Sequence, residues 1–91
     1  MINYEEALSM IRNQNRNARV TASFEIDNSF VFSVVDEDGS LYSGKYYSID
    51  KESGQISIYN YWGEYYSNPE KIVKAQKNTL KYIDSIEGIA R

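Results

Sequence analysis

The chain has 91 residues, a net charge of −3, and neither histidine nor cysteine. Its length predicts a single domain, residues 1–91, and 42 % hydrophobic with 25 % charged residues is ordinary for a globular protein. Because histidine and cysteine supply most side-chain acid–base, thiol and transition-metal chemistry, their absence excludes the commonest enzyme designs, and we expect no enzyme, cofactor or metal site.

Composition also bears on location and partners. Without cysteine no disulfide can form, residues 1–6 lack the apolar run of a signal peptide, and no stretch approaches the roughly 20 apolar residues needed to cross a bilayer. We therefore expect a cytoplasmic protein that does not enter a membrane. The negative net charge opposes attraction to phosphate, so nucleic acid is not an expected partner.

The first predicted element is a helix over residues 4–13. Asn3 can cap it, and Glu6 stands three residues later, at the spacing of a capping box. Its apolar stripe is formed by Tyr4, Ala7, Leu8 and Ile11.

Four strands joined by tight turns are predicted next. Apolar and polar residues alternate over residues 18–27, and a three-residue loop, Asp27-Asn28-Ser29, would pair Ile26 with Phe30. Turns follow at residues 36–39 and 51–54, and the second of these pairs Ile49 with Ile56 and Tyr47 with Ile58. Lys45 would then face the core unless Ser43-Gly44 forms a bulge.

A second helix is predicted over residues 69–87, from Pro69 at its first position to Gly88 after its end. The predicted fold is α+β, in the order α-β-β-β-β-α, with a four-stranded antiparallel meander and both helices on one face. The helices would cover Phe24, Phe30, Phe32, Ile49, Ile56 and Ile58.

The opposite sheet face is then predicted to be open and rich in tyrosine. Tyrosine and tryptophan bury much area while losing few rotatable bonds, so they dominate binding hot spots. The other interpretation is that tyrosine simply favours strands. Trp62 suits either a lid over the sheet edge or a plug at one end of the core. The candidate partner-binding residues are Tyr46, Tyr59, Tyr61, Tyr65, Tyr66 and Trp62.

Asp36, Glu37 and Asp38 form an acidic turn that is the remaining candidate. An EF-hand alignment starting at Asp36 places Leu41 where glycine must turn, which rejects a calcium loop. The turn is therefore either solvated or an acidic element that steers a basic partner.

Residues 47–56, Tyr-Ser-Ile-Asp-Lys-Glu-Ser-Gly-Gln-Ile, follow Phe30-Val31-Phe32 and an opening helix with Tyr4-Glu5-Glu6-Ala7. This combination resembles the strand-turn-strand segment of the YrhB-like bacterial immunity proteins. The resemblance implies a small intracellular protein, from a bacterium or phage, that binds and blocks a toxin or another enzyme.

Three hypotheses about function result. The first is a non-catalytic protein-binding module of inhibitor or immunity type that uses the tyrosine-rich face. The second is a homo-oligomeric structural or accessory domain, such as a homodimer, in which this face packs against its own copy. The third is an acidic mimic of nucleic acid.

Overall fold

The computed structural model describes residues 1–36 and 44–84, which form an α+β fold with three helices and one antiparallel sheet. In chain order the elements are α1 (Tyr4–Gln14), β1 (Ala18–Ile26), β2 (Ser29–Asp36), β3 (Lys45–Asp50), β4 (Ile56–Ile58), α2 (Tyr61–Ser67), α3 (Pro69–Thr79) and β5 (Lys81–Tyr82). The strand order is β4-β3-β2-β1-β5. The fold class and the meander from β1 to β4 are confirmed, and β5 adds a strand beside β1.

Helix α1 begins with the predicted capping box. The Asn3 side chain accepts a hydrogen bond from the Glu6 amide at 2.8 Å, and the Asn3 amide donates to the Glu6 carboxylate at 3.2 Å. Ala7 and Ile11 are fully buried against one face of the sheet. The apolar stripe of the sequence therefore identifies the buried side of this helix correctly.

The turn between β1 and β2 contains two residues, and the predicted three-residue loop is wrong. Asp27 and Asn28 have φ values of 50° and 59°, and Ile26 pairs with Ser29. Positive φ at both central positions is the conformation of a type I′ turn, whose twist matches that of the flanking strands. Shortening the loop by one residue moves β1 by one position relative to β2, so Phe24 lies opposite Val31 instead of Phe32.

The helices lie on opposite faces of the sheet, so the prediction that both pack on one face is wrong. Helix α1 covers a first core formed by Ala7, Ile11, Val20, Phe30, Phe32, Val34 and Ile49. Helices α2 and α3 cover a second core formed by Phe24, Ile26, Val31, Tyr61 and Ile72. A register shift between Val20 and Ala22 lets β1 contribute Val20 to the first core and Phe24 to the second.

The turn over residues 51–54 has the predicted register. Ile49 pairs with Ile56 and Tyr47 with Ile58. The Asp50 carboxylate accepts hydrogen bonds from the amides of Ser53 and Glu52 at 2.9 Å, which lowers its pKa. Ile56 packs on the first core, but Ile58 is 77 % exposed, so its predicted core position is wrong. Strand β4 is the sheet edge, and the first core ends before Ile58.

The last helix ends at Thr79, and the predicted helix over residues 69–87 is too long. The Thr79 hydroxyl donates to the Ala75 carbonyl at 2.7 Å and accepts from the Glu25 amide at 2.8 Å, which ties the helix end to β1. The chain then extends along β1, where the Ile83 amide donates to the Thr21 carbonyl. If the helix continued, the backbone amides and carbonyls at this edge of β1 would lack these partners.

Asp84 fastens this C-terminal segment to α1. Its carboxylate accepts two hydrogen bonds from the Arg12 guanidinium, both at 3.0 Å, and one from the Val20 amide at 2.9 Å. The bond from Arg12 is the main cause of a lowered pKa at Asp84, with a smaller contribution from the Val20 amide, while burial acts in the opposite direction.

Two predicted features lie wholly or partly outside the described residues. The turn at 36–39 is one, and the bulge at Ser43-Gly44 is the other, with only Gly44 described. Lys45 pairs with Val34 in the same phase as Tyr47 and Ile49. It is exposed there, so the regular register leaves its charge in contact with water.

Candidate functional site

The tyrosines predicted to form an open sheet face belong to the second core, and Tyr61 is itself the first residue of α2. Tyr61 is only 9 % exposed, and Tyr46 and Tyr59 are half-buried against the second core. The β1–β2 register adds Phe24 and Ile26 to the face that carries these rings, and the later helices cover that face. Tyr61 is therefore not free to contact a partner and the prediction for this residue is wrong, while Tyr59 is only partly covered.

Tyr61 lies at the centre of an aromatic cluster. Asn60 precedes α2 and its side chain accepts a hydrogen bond from the Gly63 amide at 3.1 Å, so a helix begins at Tyr61, a residue predicted to lie on the open sheet face. The Tyr61 ring stacks on Tyr46 with centroids 4.4 Å apart and planes at 11°. On the next helical turn Tyr65 stacks on Tyr61 at 6.1 Å. Gln76 of α3 donates a hydrogen bond to the Tyr61 hydroxyl at 3.0 Å.

Trp62 and Tyr66 form the exposed rim of this cluster. Trp62 is 59 % exposed and meets the Tyr61 ring edge-on at 5.0 Å, and Tyr66 is 79 % exposed and meets Tyr65 edge-on at 6.2 Å. Of the two alternatives for Trp62, the core plug is wrong. Tyr66 is one of the candidate partner-binding residues, and its exposure leaves it available for contact. We call Trp62, Tyr65 and Tyr66 the aromatic surface.

Two half-buried phenols beneath this surface, those of Tyr46 and Tyr59, have raised pKa values. Burial is the main cause of a raised pKa at Tyr46, with Tyr61 acting in the same direction and a hydrogen bond with Ser33 acting against it. Burial likewise raises the pKa of Tyr59, with smaller contributions from Glu64, Asp27 and Tyr61. A neutral phenol neither abstracts protons nor carries charge at pH 7, so these rings act as packing and hydrogen-bonding groups.

A cavity of about 300 Å³ opens on the same face of the sheet, next to Tyr46. It is lined by Ala22, Phe24, Ser33, Tyr46, Gln76, Leu80 and Tyr82. Leu80 and Tyr82 are 38 % and 84 % exposed, and neither was predicted to belong to a site. The pattern of the sequence contained no signal for them, because both were assigned to a helix that ends before them.

The acidic turn remains untested. Asp36 is the last residue of β2, and Glu37 and Asp38 lie outside the described residues. Within residues 1–36 and 44–84, no three carboxylates come together in a group that could hold a metal ion. The expectation that the chain uses no metal and no cofactor stays a prediction.

Known proteins offer no guide to this site. No family model matches the chain, and neither a curated protein nor a solved structure matches it. The resemblance to YrhB-like immunity proteins therefore stays a prediction. Among the helices that the structure describes, none has the length and apolar character required to span a bilayer.

Proposed function

We propose that this chain is a non-catalytic protein-binding module whose contacts centre on Trp62 and Tyr66. One observation carries the proposal: two large aromatic side chains are mostly exposed while a buried stack holds their neighbours in place. Isolated exposed apolar residues are ordinary, but here the exposed rings continue the cluster of Tyr46, Tyr61 and Tyr65.

The contacts that hold the exposed rings in place matter because binding must offset the entropy lost when side chains become ordered. Trp62 contacts both Tyr61 and Tyr65, and Tyr66 contacts Tyr65, so part of that ordering is already present in the free protein. Burying the exposed parts of Trp62 and Tyr66 would remove on the order of 300 Å² from water, worth about 7 kcal/mol before association costs. Those costs are of comparable size, so surrounding contacts must contribute the remaining affinity.

The finer proposal is an inhibitor or immunity-type protein that acts in the cytoplasm on a toxin or another enzyme. Its support is the resemblance of residues 47–56, together with a composition free of histidine and cysteine. The acidic residues Asp36, Glu37 and Asp38 would steer a basic partner, an effect that weakens as salt is added. Mimicry of nucleic acid is the less favoured role, because the aromatic surface contributes ring area rather than negative charge.

The test compares a double variant, Trp62→Ala with Tyr66→Ala, against a matched control, Tyr82→Ala. Tyr82 is 84 % exposed and lies on β5, at the opposite edge of the sheet from β4, so it controls for loss of an exposed ring. Each chain is used as bait in extracts of cells that naturally express it. The affinity of any retained protein is then measured by calorimetry with purified components.

We expect the double variant to bind at least about 30-fold more weakly, because hot-spot residues contribute ~2 kcal/mol or more. The control should bind within about threefold of the parent chain, the range of an ordinary surface substitution. Circular dichroism checks that all three chains are folded. If the folded double variant binds as tightly as the parent, the aromatic surface is not the contact site.

A further inference from the structure

The two edges of the sheet differ in how they are protected. Strand β5 forms one edge, spans only two residues, and includes the charged Lys81. Strand β4 forms the other edge, where Gln55, Ser57 and Ile58 are exposed. An edge strand presents unpaired backbone groups, and proteins normally block such edges with charge, proline or irregularity.

The outward backbone groups of β4 belong to Ile56 and Ile58. The Asp50 amide donates to the Gln55 carbonyl at 3.0 Å, and the Tyr59 amide donates to the Tyr46 carbonyl at 2.8 Å. Hydrogen-bonded pairs alternate along an antiparallel ladder, so Ser57 also bonds inward to Ser48, and the groups of Ile56 and Ile58 point away from β3.

The sequence around β4 lacks the charged residues and proline that normally block pairing at a sheet edge. Residues 53–63 contain no charged side chain and no proline, whereas a quarter of the whole chain is charged. The segment is instead rich in isoleucine and tyrosine, the residue types that favour pairing between strands. The side chain of Ile58 is 77 % exposed beside the outward backbone groups.

We propose that β4 pairs with β4 of a second copy of this chain, antiparallel, about a two-fold axis at Ser57. This register places Ile56 opposite Ile58 of the partner subunit, and the reverse. Each of these two residue pairs then exchanges two hydrogen bonds between outward amides and carbonyls, so four hydrogen bonds join the copies. Two five-stranded sheets would join into one continuous sheet.

A second copy is the favoured occupant because this strand is complementary to itself. The only bulky side chains on the Ile58 side of the strand are two isoleucines, which become mutual neighbours in this register. No like charges oppose one another, because residues 53–63 carry none. A three-residue strand buries less than the roughly 800 Å² per partner of a standard interface, so the dimer should be a weak one.

This proposal is independent of the proposed function, because it uses the backbone of β4 rather than the rings of Trp62 and Tyr66. Sedimentation equilibrium over concentrations up to about 1 mM covers the affinity range of a weak dimer. The first variant is Ile58→Pro. Proline there removes an outward amide and no hydrogen bond within the chain, and proline is tolerated at edge positions. We expect its dimer dissociation constant to rise on the order of 30-fold, because two hydrogen bonds are lost per dimer.

The second measurement uses the absence of native cysteine. Ser57→Cys would place two thiols at the two-fold axis, in a non-hydrogen-bonded pair whose Cα atoms are about 4.5 Å apart, within the range that a disulfide spans. Gln55→Cys is the matched control. Gln55 lies two residues from Ser57 and is also exposed. In the proposed register, however, it is offset by four residues from Gln55 of the second copy, a distance of about 14 Å along the strand.

Mild oxidation should therefore cross-link the Ser57→Cys chain into dimers and leave the Gln55→Cys chain monomeric. A chain that remains monomeric at every concentration overturns the proposal and leaves the edge to a strand of a different protein. So does a dimer that a folded Ile58→Pro chain forms as tightly as the parent, or equal cross-linking of the two cysteine variants. Circular dichroism confirms that each variant is folded before its result is used.

Discussion

Replacing Tyr61 with alanine tests the arrangement in which α2 and α3 cover the aromatic face of the sheet. The Tyr61 ring is 9 % exposed and contacts Tyr46, Phe24, Trp62 and Tyr65, and its hydroxyl accepts a hydrogen bond from Gln76. Removing a buried aromatic ring costs about 3–5 kcal/mol, because both burial and packing are lost.

That cost is large for a domain of this size. At roughly 0.05–0.15 kcal/mol per residue, the free energy of unfolding of the parent chain is about 5–14 kcal/mol. Each kcal/mol corresponds to about 4–8 °C in the midpoint of thermal unfolding for a domain of up to 100 residues. We therefore expect Tyr61→Ala to lower that midpoint by roughly 12–40 °C.

Two control variants separate the ring from its hydroxyl and the buried position from the exposed one. Tyr61→Phe keeps the ring and removes one hydrogen bond, and because Gln76 is half-exposed and can bond to water, we expect a loss of about 1 kcal/mol or less. Tyr66→Ala removes a ring that is 79 % exposed, for which about 0.5 kcal/mol is the usual limit.

The measurement is urea unfolding followed by far-ultraviolet circular dichroism, since Trp62 lies against Tyr61 and its fluorescence would respond to the substitution directly. Unchanged dependence on urea concentration would show that the variants unfold from comparably compact states. The arrangement in which α2 and α3 cover the aromatic face is incorrect if Tyr61→Ala lowers the free energy of unfolding by less than about 1 kcal/mol. It is also incorrect if Tyr66→Ala lowers the free energy of unfolding as much as Tyr61→Ala does.

Two further predictions concern the ends of β1. In the folded chain the pKa of Asp84 lies below its unfolded value, so its stabilising contribution is present above pH ~4 and is lost as the pH falls through the folded-state pKa. Asp84→Asn should therefore have a lower free energy of unfolding than the parent chain at pH 7, and the difference between the two should disappear in acid. Urea unfolding as a function of pH measures this difference. An equal difference at all pH values would contradict the ion pair with Arg12. Asn28 has a φ of 59°, so Asn28→Val should cost about 1–3 kcal/mol while Asn28→Gly is tolerated, and equal stability of the two variants would contradict the two-residue turn.

Local patterns in the sequence identify most of the individual elements. The capping residues Asn3 and Glu6, the alternation along β1 and the turn at residues 51–54 each depend on neighbours a few positions away. Such contacts join residues that are close in sequence, so helix α1 and the register of β3 with β4 could be predicted correctly. The aromatic candidates were also visible, because their residue types alone indicate contact area.

The burial of those candidates depended on a choice that local patterns leave open. Asp27, Asn28 and Ser29 are compatible with a turn of two or three residues, and alternation along β1 looks the same in both cases. A difference of one residue moves Phe24 to the sheet face that carries Tyr46 and Tyr59, and α2 and α3 cover that face.

The C-terminal part of the chain shows a second limit of local patterns. Residues 80–84 continue a helical pattern in the sequence, yet Lys81 and Tyr82 pair with β1, and Asp84 bonds to Arg12. These partners are 72 residues apart along the chain, so no local window contains both. Short-range periodicity was enough to identify α1, the four strands of the meander and the start of α3. The sides on which these elements pack follow from long-range pairing, because each buried face must meet a partner distant in sequence.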